Sequence, residues 1–199
     1  MPLRFLPSCL PCAPILAAGL LFCAAAPAAE VAGIEVPERV LLANDGSELV
    51  LNGAGVRKIA VLRIYVAALY LPAKSSDGEA ILHSHPPARL RMQLLRDLSV
   101  EQVKRSITGA LRETLTPEQK RPLEPRLEQL DSILDSLDKL KEGASFVIDY
   151  QPNAGTSVAV DGEVKGMIPG ADFSEALLRI WIGEHPRDRR LRDALLGLP

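Results

Sequence analysis

An arginine and a tyrosine, eight residues apart in one apolar stretch, offer most of the chemistry in this sequence. The stretch is Gly53 to Leu71, GAGVRKIAVLRIYVAALYL. An arginine that enters an apolar cleft must be paired, because an unpaired buried charge is very costly. The planar guanidinium of Arg57 suits a carboxylate or a phenolate-type oxygen. Two kinds of partner fit it: a carboxylate of the fold, such as Glu48 or Asp149, or a ligand. The hydroxyl of Tyr65, among apolar neighbours, is a suitable donor to a ligand carboxylate. The same residue also reads as a core tyrosine with its hydroxyl at a sheet edge. On one straight strand the two residues would stand about 26 Å apart, at ~3.3 Å per residue. They converge only if the chain reverses between them, near Ala60 to Leu62, where no glycine or asparagine marks a turn.

The other candidate groups carry less. His83-x-His85 has the spacing of two ligands on a strand, but no third ligand is recognisable and Pro86-Pro87 marks a loop, so surface histidines are expected. Arg187 to Arg192 is interleaved with aspartates and reads as a helix surface, not a nucleic-acid patch. There is no GxSxG, no P-loop and no dinucleotide fingerprint. The expectation is a domain without cofactor, metal site or nucleic-acid partner.

The stretch that holds Arg57 and Tyr65 is apolar on both faces and reads as a central strand, entered through a glycine-bearing turn at Asn52 to Gly55. Before it, Ile34 to Ala43 and Ser47 to Leu51 form a hairpin around Asn44-Asp45-Gly46. After it come a short helix from Asp77 to Leu82, a strand at Leu90 to Leu95, and a helix opened by the capping box Ser99-Val100-Glu101-Gln102. Thr116-Pro117 restarts the chain, Lys120 to Pro125 is bent, and Arg126 to Lys141 is amphipathic. Three short strands follow, the last two joined at Asp161-Gly162. Two helices close the chain, one burying Phe173, Leu177 and Trp181, the other burying Leu191, Ala194 and Leu195. Hairpins early and late with helices between and after predict an α+β domain, an antiparallel sheet with helices segregated to one side.

The chain of 199 residues is enough for one domain, and its net charge of −2 gives no polybasic field. Residues 1–28 read as a secretory signal peptide: Arg4 is the positive n-region, Ile15 to Ala26 the apolar core, and Ala26-Pro27-Ala28 the cleavage site. The mature domain is then 29–199. Cleavage removes Arg4 and all three cysteines, leaving no disulfide or thiol chemistry and no stable membrane anchor. Export with such a leader predicts the periplasm.

Gly53-Ala54-Gly55-Val56-Arg57 followed by Tyr65-Val66-Ala67-Ala68-Leu69-Tyr70-Leu71 resembles the chalcone isomerase family, in its bacterial chalcone isomerase-like branch. Phe173 to Leu178, Trp181-Ile182-Gly183 and Leu191 to Gly197 agree, so the resemblance spans roughly Ile34 to Gly197. It implies an open-faced β-sandwich with Arg57 in a ligand cleft. Where the isomerase branch has a threonine, Tyr65 matches the fatty-acid-binding branch. The family's catalytic tyrosine falls at Leu98-Ser99 here, and its cleft asparagine at Ser106 or a neighbour. The resemblance therefore implies a non-catalytic protein that binds a fatty acid or similar apolar carboxylate through Arg57 and Tyr65. Two alternatives remain: an intramolecular lyase acting on a phenolic substrate, and a structural or partner-interaction domain in which Arg57 is tied into an internal ion pair and no cavity exists.

Overall fold

A computed structural model describes residues 28–43 and 46–199. The signal peptide expected at residues 1–28 lies outside these residues apart from Ala28, which opens the first strand. Strands β1 (Ala28–Val31) and β2 (Ile34–Pro37) form a separate antiparallel hairpin. The main sheet is antiparallel throughout, in the order β3 (Arg39–Leu41), β4 (Glu48–Ile59), β5 (Leu62–Leu71), β6 (Ala88–Leu94), β7 (Ser145–Gln151), β8 (Gly155–Val160), β9 (Glu163–Ile168). The helices are α1 (Gly78–Ser84), α2 (Val100–Lys104), α3 (Ala110–Thr114), α4 (Pro117–Asp135), α5 (Ala171–Ile182) and α6 (Arg189–Leu195), with one π-helical turn, Arg105–Gly109, joining α2 to α3.

Alternation along the strands sorts the side chains between two cores. Ala67, Leu69 and Leu71 of β5, with Leu90 and Met92 of β6, pack under the helices. Val66, Ala68 and Tyr70 face the other way, where Val36 of β2 joins them. Helices on one face of an antiparallel sheet make this an α+β domain of the expected kind.

The region around Arg57 departs from the expected single strand. Asn52 to Gly55 is not a turn but part of β4, with Asn52 as the extra residue of a β-bulge between Leu51 and Gly53. The chain reverses instead at Ala60-Val61, so that Ile59 pairs with Leu62. Ala60 takes φ 52, the left-handed conformation usually given to glycine in two-residue hairpins. An alanine held there by its two strands leaves no mark in the sequence.

The glycines serve a different purpose. Gly53 and Gly55 are two residues apart in a strand and so share a face, and α6 lies directly on that face. A Cβ on Gly53 would stand 2.1 Å from the Ala194 carbonyl oxygen, and one on Gly55 would stand 2.7 Å from the Ala194 Cβ. Close approach of another backbone is a recognised use of strand glycine. Both ends of α6 are then tied to β4. The Asn52 amide donates to the Leu195 carbonyl at 2.7 Å, and Asp188 at the N-terminus reaches Arg57.

Elsewhere most local signals hold. Asp77 caps α1, Ser99 and Gln102 form the capping box of α2, and Thr116 caps α4 with Pro117 at its first position. Asp161 and Gly162 take φ 50 and 83, the conformation of a tight hairpin. The long helix differs: α4 runs unbroken through Pro122 and Pro125, which lie on its exposed side, and stops at Asp135. It stops there because Leu140 pairs with Leu98 in a two-way bridge, the N–H of each bonding the carbonyl of the other at 2.8 and 3.1 Å.

Two substitutions separate the roles of Gly53 and Ala60. Gly53→Ala forces α6 off β4 and should cost about 1–3 kcal/mol, as overpacking does. Ala60→Gly relieves a left-handed alanine and should raise stability by about 0.5–1 kcal/mol after the entropy of glycine is counted. Urea unfolding of the two variants beside wild type reads both signs.

Candidate functional site

Antiparallel pairing across the Ala60-Val61 turn makes Arg57 and Tyr65 direct cross-strand partners. Both lie on the face beneath the helices. A second register shift follows at once: Arg57 pairs with Tyr65 and Lys58 with Arg63, which leaves Ile64 without a partner on β4. Bulges re-aim side chains, and here the consecutive residues Ile64 and Tyr65 both line the same cleft.

The cleft has two joined chambers. The larger, about 350 Å³, is apolar, walled by Met92 and Leu94 of β6, Phe146 of β7, and the bridged pair Leu98 and Leu140. The smaller, about 170 Å³, is more polar and contains Arg57, Arg187 and Asp188. Tyr65, Trp181, Ile64, Ile59, Arg105 and Ser106 line both. The last two belong to the π-helical turn, a feature found often at functional sites, and its wider coil presents them side by side to the cleft.

Tyr65 is partly buried, and its exposed part faces the cleft. Its hydroxyl accepts a hydrogen bond from the Trp181 indole N–H at 3.0 Å. The phenolic hydrogen has no acceptor among the described residues and is left to donate. Burial raises the Tyr65 pKa, against the opposing effects of the Trp181 hydrogen bond and the Arg57 charge. The group therefore stays a protonated donor throughout the neutral range.

Arg57 holds Asp188, Nη1 to Oδ2, at 2.9 Å, with both side chains largely buried. Neither acid suggested by the sequence is its partner: Glu48 pairs with Arg39 across β3 and β4, and Asp149 with Arg89 across β6 and β7. The internal ion pair of the structural alternative is thus present, and a cavity is present beside it. Nη1 also reaches the Arg187 carbonyl at 3.4 Å, while Nε and Nη2 make no hydrogen bond among the described residues. Burial works against the Asp188 charge. The Leu191 N–H, Arg57 and the Lys58 N–H outweigh it and hold the carboxyl below its ordinary value.

The sequence reading missed Asp188, Trp181 and Arg105 as members of the site. Asp188 carried a legible signal, since Asp three residues before the apolar Leu191 is a helix N-cap, and its Oδ1 does accept from Leu191 N–H at 3.1 Å. Arg105 pairs with no carboxylate among the described residues and is the one cation lining both chambers. Leu98 and Ser106, the positions to which the resemblance carried the isomerase tyrosine and asparagine, both stand in the cavity wall. The histidines do not converge: His85 meets Glu175 at 3.0 Å and His83 meets the Glu79 carbonyl at 2.7 Å. Among the described residues no group of acids, histidines and cysteines could hold a metal ion.

Comparison with known proteins bears on the family and the fold. A family model described as chalcone isomerase-like matches residues 28–197. Among solved structures, a fatty-acid binding protein of Arabidopsis thaliana superposes with a TM-score of 0.61 at 17% identity, covering 80% of this chain and 96% of that one. No curated protein matches significantly.

The lowered Asp188 pKa gives a pH dependence of known sign. A carboxyl more acidic in the folded state stabilises the fold above its unfolded pKa, and that contribution is lost as pH falls through the folded value. Asp188→Asn keeps a good N-cap and removes the charge. It should cost about 1.5–3 kcal/mol at neutral pH, the range for hydrogen bonds to charged groups. The gap to wild type should close as pH drops below about 4. Urea midpoints measured across that range test it.

Proposed function

We propose that this chain, which belongs to the chalcone isomerase-like family, is an exported binding protein for an apolar carboxylate such as a fatty acid. The observation that carries the reading is the shape of the cleft: an apolar chamber of about 350 Å³ that ends at Tyr65, Arg57 and Arg105. Small-molecule sites are concave and mostly apolar, with a few placed polar groups, and range from about 300 to 1,000 Å³. A chamber at the low end of that range fits a medium-length chain better than a long one. The ligand class is supported by the likeness to a fatty-acid binding protein, and export by the leader pattern of residues 1–28.

In this reading the carboxylate sits where the chambers meet. The Tyr65 hydroxyl donates to it, already oriented by Trp181. Arg57 offers the nitrogens that Asp188 does not use. Because Asp188 cancels the Arg57 charge, the net positive charge where the two chambers meet comes from Arg105. Charge-assisted hydrogen bonds of this kind are roughly twice as strong as neutral ones. Proton-handling groups at the isomerase positions are replaced by Leu98 and Ser106, which favours binding over turnover of a phenolic substrate.

Trp181 is the chain's one tryptophan and lines both chambers, so it reports on occupancy directly. Titration with decanoic acid should change its fluorescence, and decanol should bind more weakly. Tyr65→Phe and Arg105→Gln should each weaken decanoate by about tenfold or more, the loss of a hydrogen bond to a charged group, and should leave decanol unchanged. Equal affinity for acid and alcohol, or no response to fatty acids of any length, would overturn the proposal.

A further inference from the structure

We infer that the β4–β5 hairpin tip is a docking surface for an anionic phospholipid bilayer, through which the ligand enters the cleft. The inference rests on the binding function proposed above. The tip consists of Lys58, Ile59, Ala60, Val61, Leu62 and Arg63. Ile59, Val61 and Leu62 are 54%, 92% and 50% exposed, three large apolar side chains within the four residues of one turn. Isolated exposed apolar residues are ordinary, but a contiguous group of them marks an interaction site.

Two further observations say what the site meets. The first is position. Ile59 and Leu62 are also wall residues of the apolar chamber, so the patch is continuous with the chamber's interior at its mouth. An apolar ligand passing over them stays out of water. The second is charge. Lys58 and Arg63 face each other across the hairpin directly behind the apolar tip. With Arg96 and Arg105 of the chamber wall they make four cations, none of which pairs with a carboxylate among the described residues. The nearest acid in the cleft, Asp188, is engaged by Arg57. A basic collar behind an apolar tip matches an anionic lipid surface: the tip enters the acyl boundary and the cations remain with the headgroups. The chain's overall charge of −2 makes this local surplus a property of the cleft mouth, not of the whole molecule. A water-borne protein partner would need no apolar continuity with the ligand chamber.

The test separates docking from ligand binding. Val61 and the Lys58 and Arg63 side chains are not cavity walls, so Val61→Asp and the double variant Lys58→Gln/Arg63→Gln leave the chamber intact. The chain as its host produces it is used in every arm, with decanoic acid as probe and Trp181 fluorescence as readout. From free solution, all three proteins should bind the probe with the same affinity. From probe-loaded vesicles, wild type should acquire it at a rate that rises with vesicle concentration, faster when phosphatidylcholine is mixed with phosphatidylglycerol. Both variants should lose that dependence. Each basic residue near an anionic surface contributes roughly fivefold to binding, so co-sedimentation of the double variant with the mixed vesicles should fall by about tenfold or more.

A wild-type rate indifferent to vesicle concentration and composition would overturn the inference while leaving ligand binding standing. So would variants that behave as wild type, or a Val61→Asp effect traced to loss of a dimer. Absence of probe binding from solution would overturn the proposed function instead, and co-sedimentation alone would then decide the docking surface.

Discussion

Helix α6 can lie on strand β4 only because Gly53 and Gly55 present no side chains to it, and the site depends on that contact. Any Cβ at Gly53 would collide with the backbone of Ala194. Close packing of this kind fixes a position but gives little purchase along the helix axis, and the two polar ties supply it. At one end the Asn52 amide, freed from the ladder by the bulge, holds the Leu195 carbonyl at the end of α6. At the other, Arg57 and the Lys58 N–H hold Asp188, which is itself the cap of the helix. Arg57 therefore works first as a structural residue. What it presents to the cleft is the remainder of its guanidinium, in a place the helix has fixed.

The cleft follows from irregularities placed around this contact. The bulge at Ile64 turns two consecutive residues of β5 inward. The π-helical turn does the same for Arg105 and Ser106 on the opposite wall. The bridge between Leu98 and Leu140 ends α4 early and closes the far side of the apolar chamber. In each case regular hydrogen bonding is interrupted where the cavity needs a wall. Regular elements bring the same residues within reach but would point alternate side chains away from the cleft.

Much of the frame was legible in the sequence, because its signals are local. The capping box at Ser99, the proline start at Thr116-Pro117, the Asp161-Gly162 turn and the apolar stripe of α5 act within a few residues, and the structure shows them. The α+β class and the chalcone isomerase-like family followed from their order and from the Arg57 and Trp181 blocks. The site was less legible, because its determinants are tertiary. Ala60 turns the chain in a conformation alanine resists, so no residue type announced the hairpin. Gly53 and Gly55 read locally as a turn, whereas their purpose is a helix some 140 residues later in the chain, Ala194 standing above both. Asp188 reads locally as part of a charged helix surface, since only the folded chain brings it to Arg57. The convergence of Arg57 and Tyr65, which hung on a reversal near Ala60 to Leu62, is met by a turn at Ala60-Val61.

The central claim is that the cleft takes an apolar carboxylate, and native mass spectrometry of the chain purified from its host without detergent tests it most directly. The account predicts a bound species whose mass, released and identified, is that of a fatty acid. It predicts also that the species is absent from Met92→Asp, which places a charge in the apolar chamber wall away from the Arg57–Asp188 tie. A ligand-free mass for wild type, persisting after incubation with fatty acids of several lengths, would contradict it.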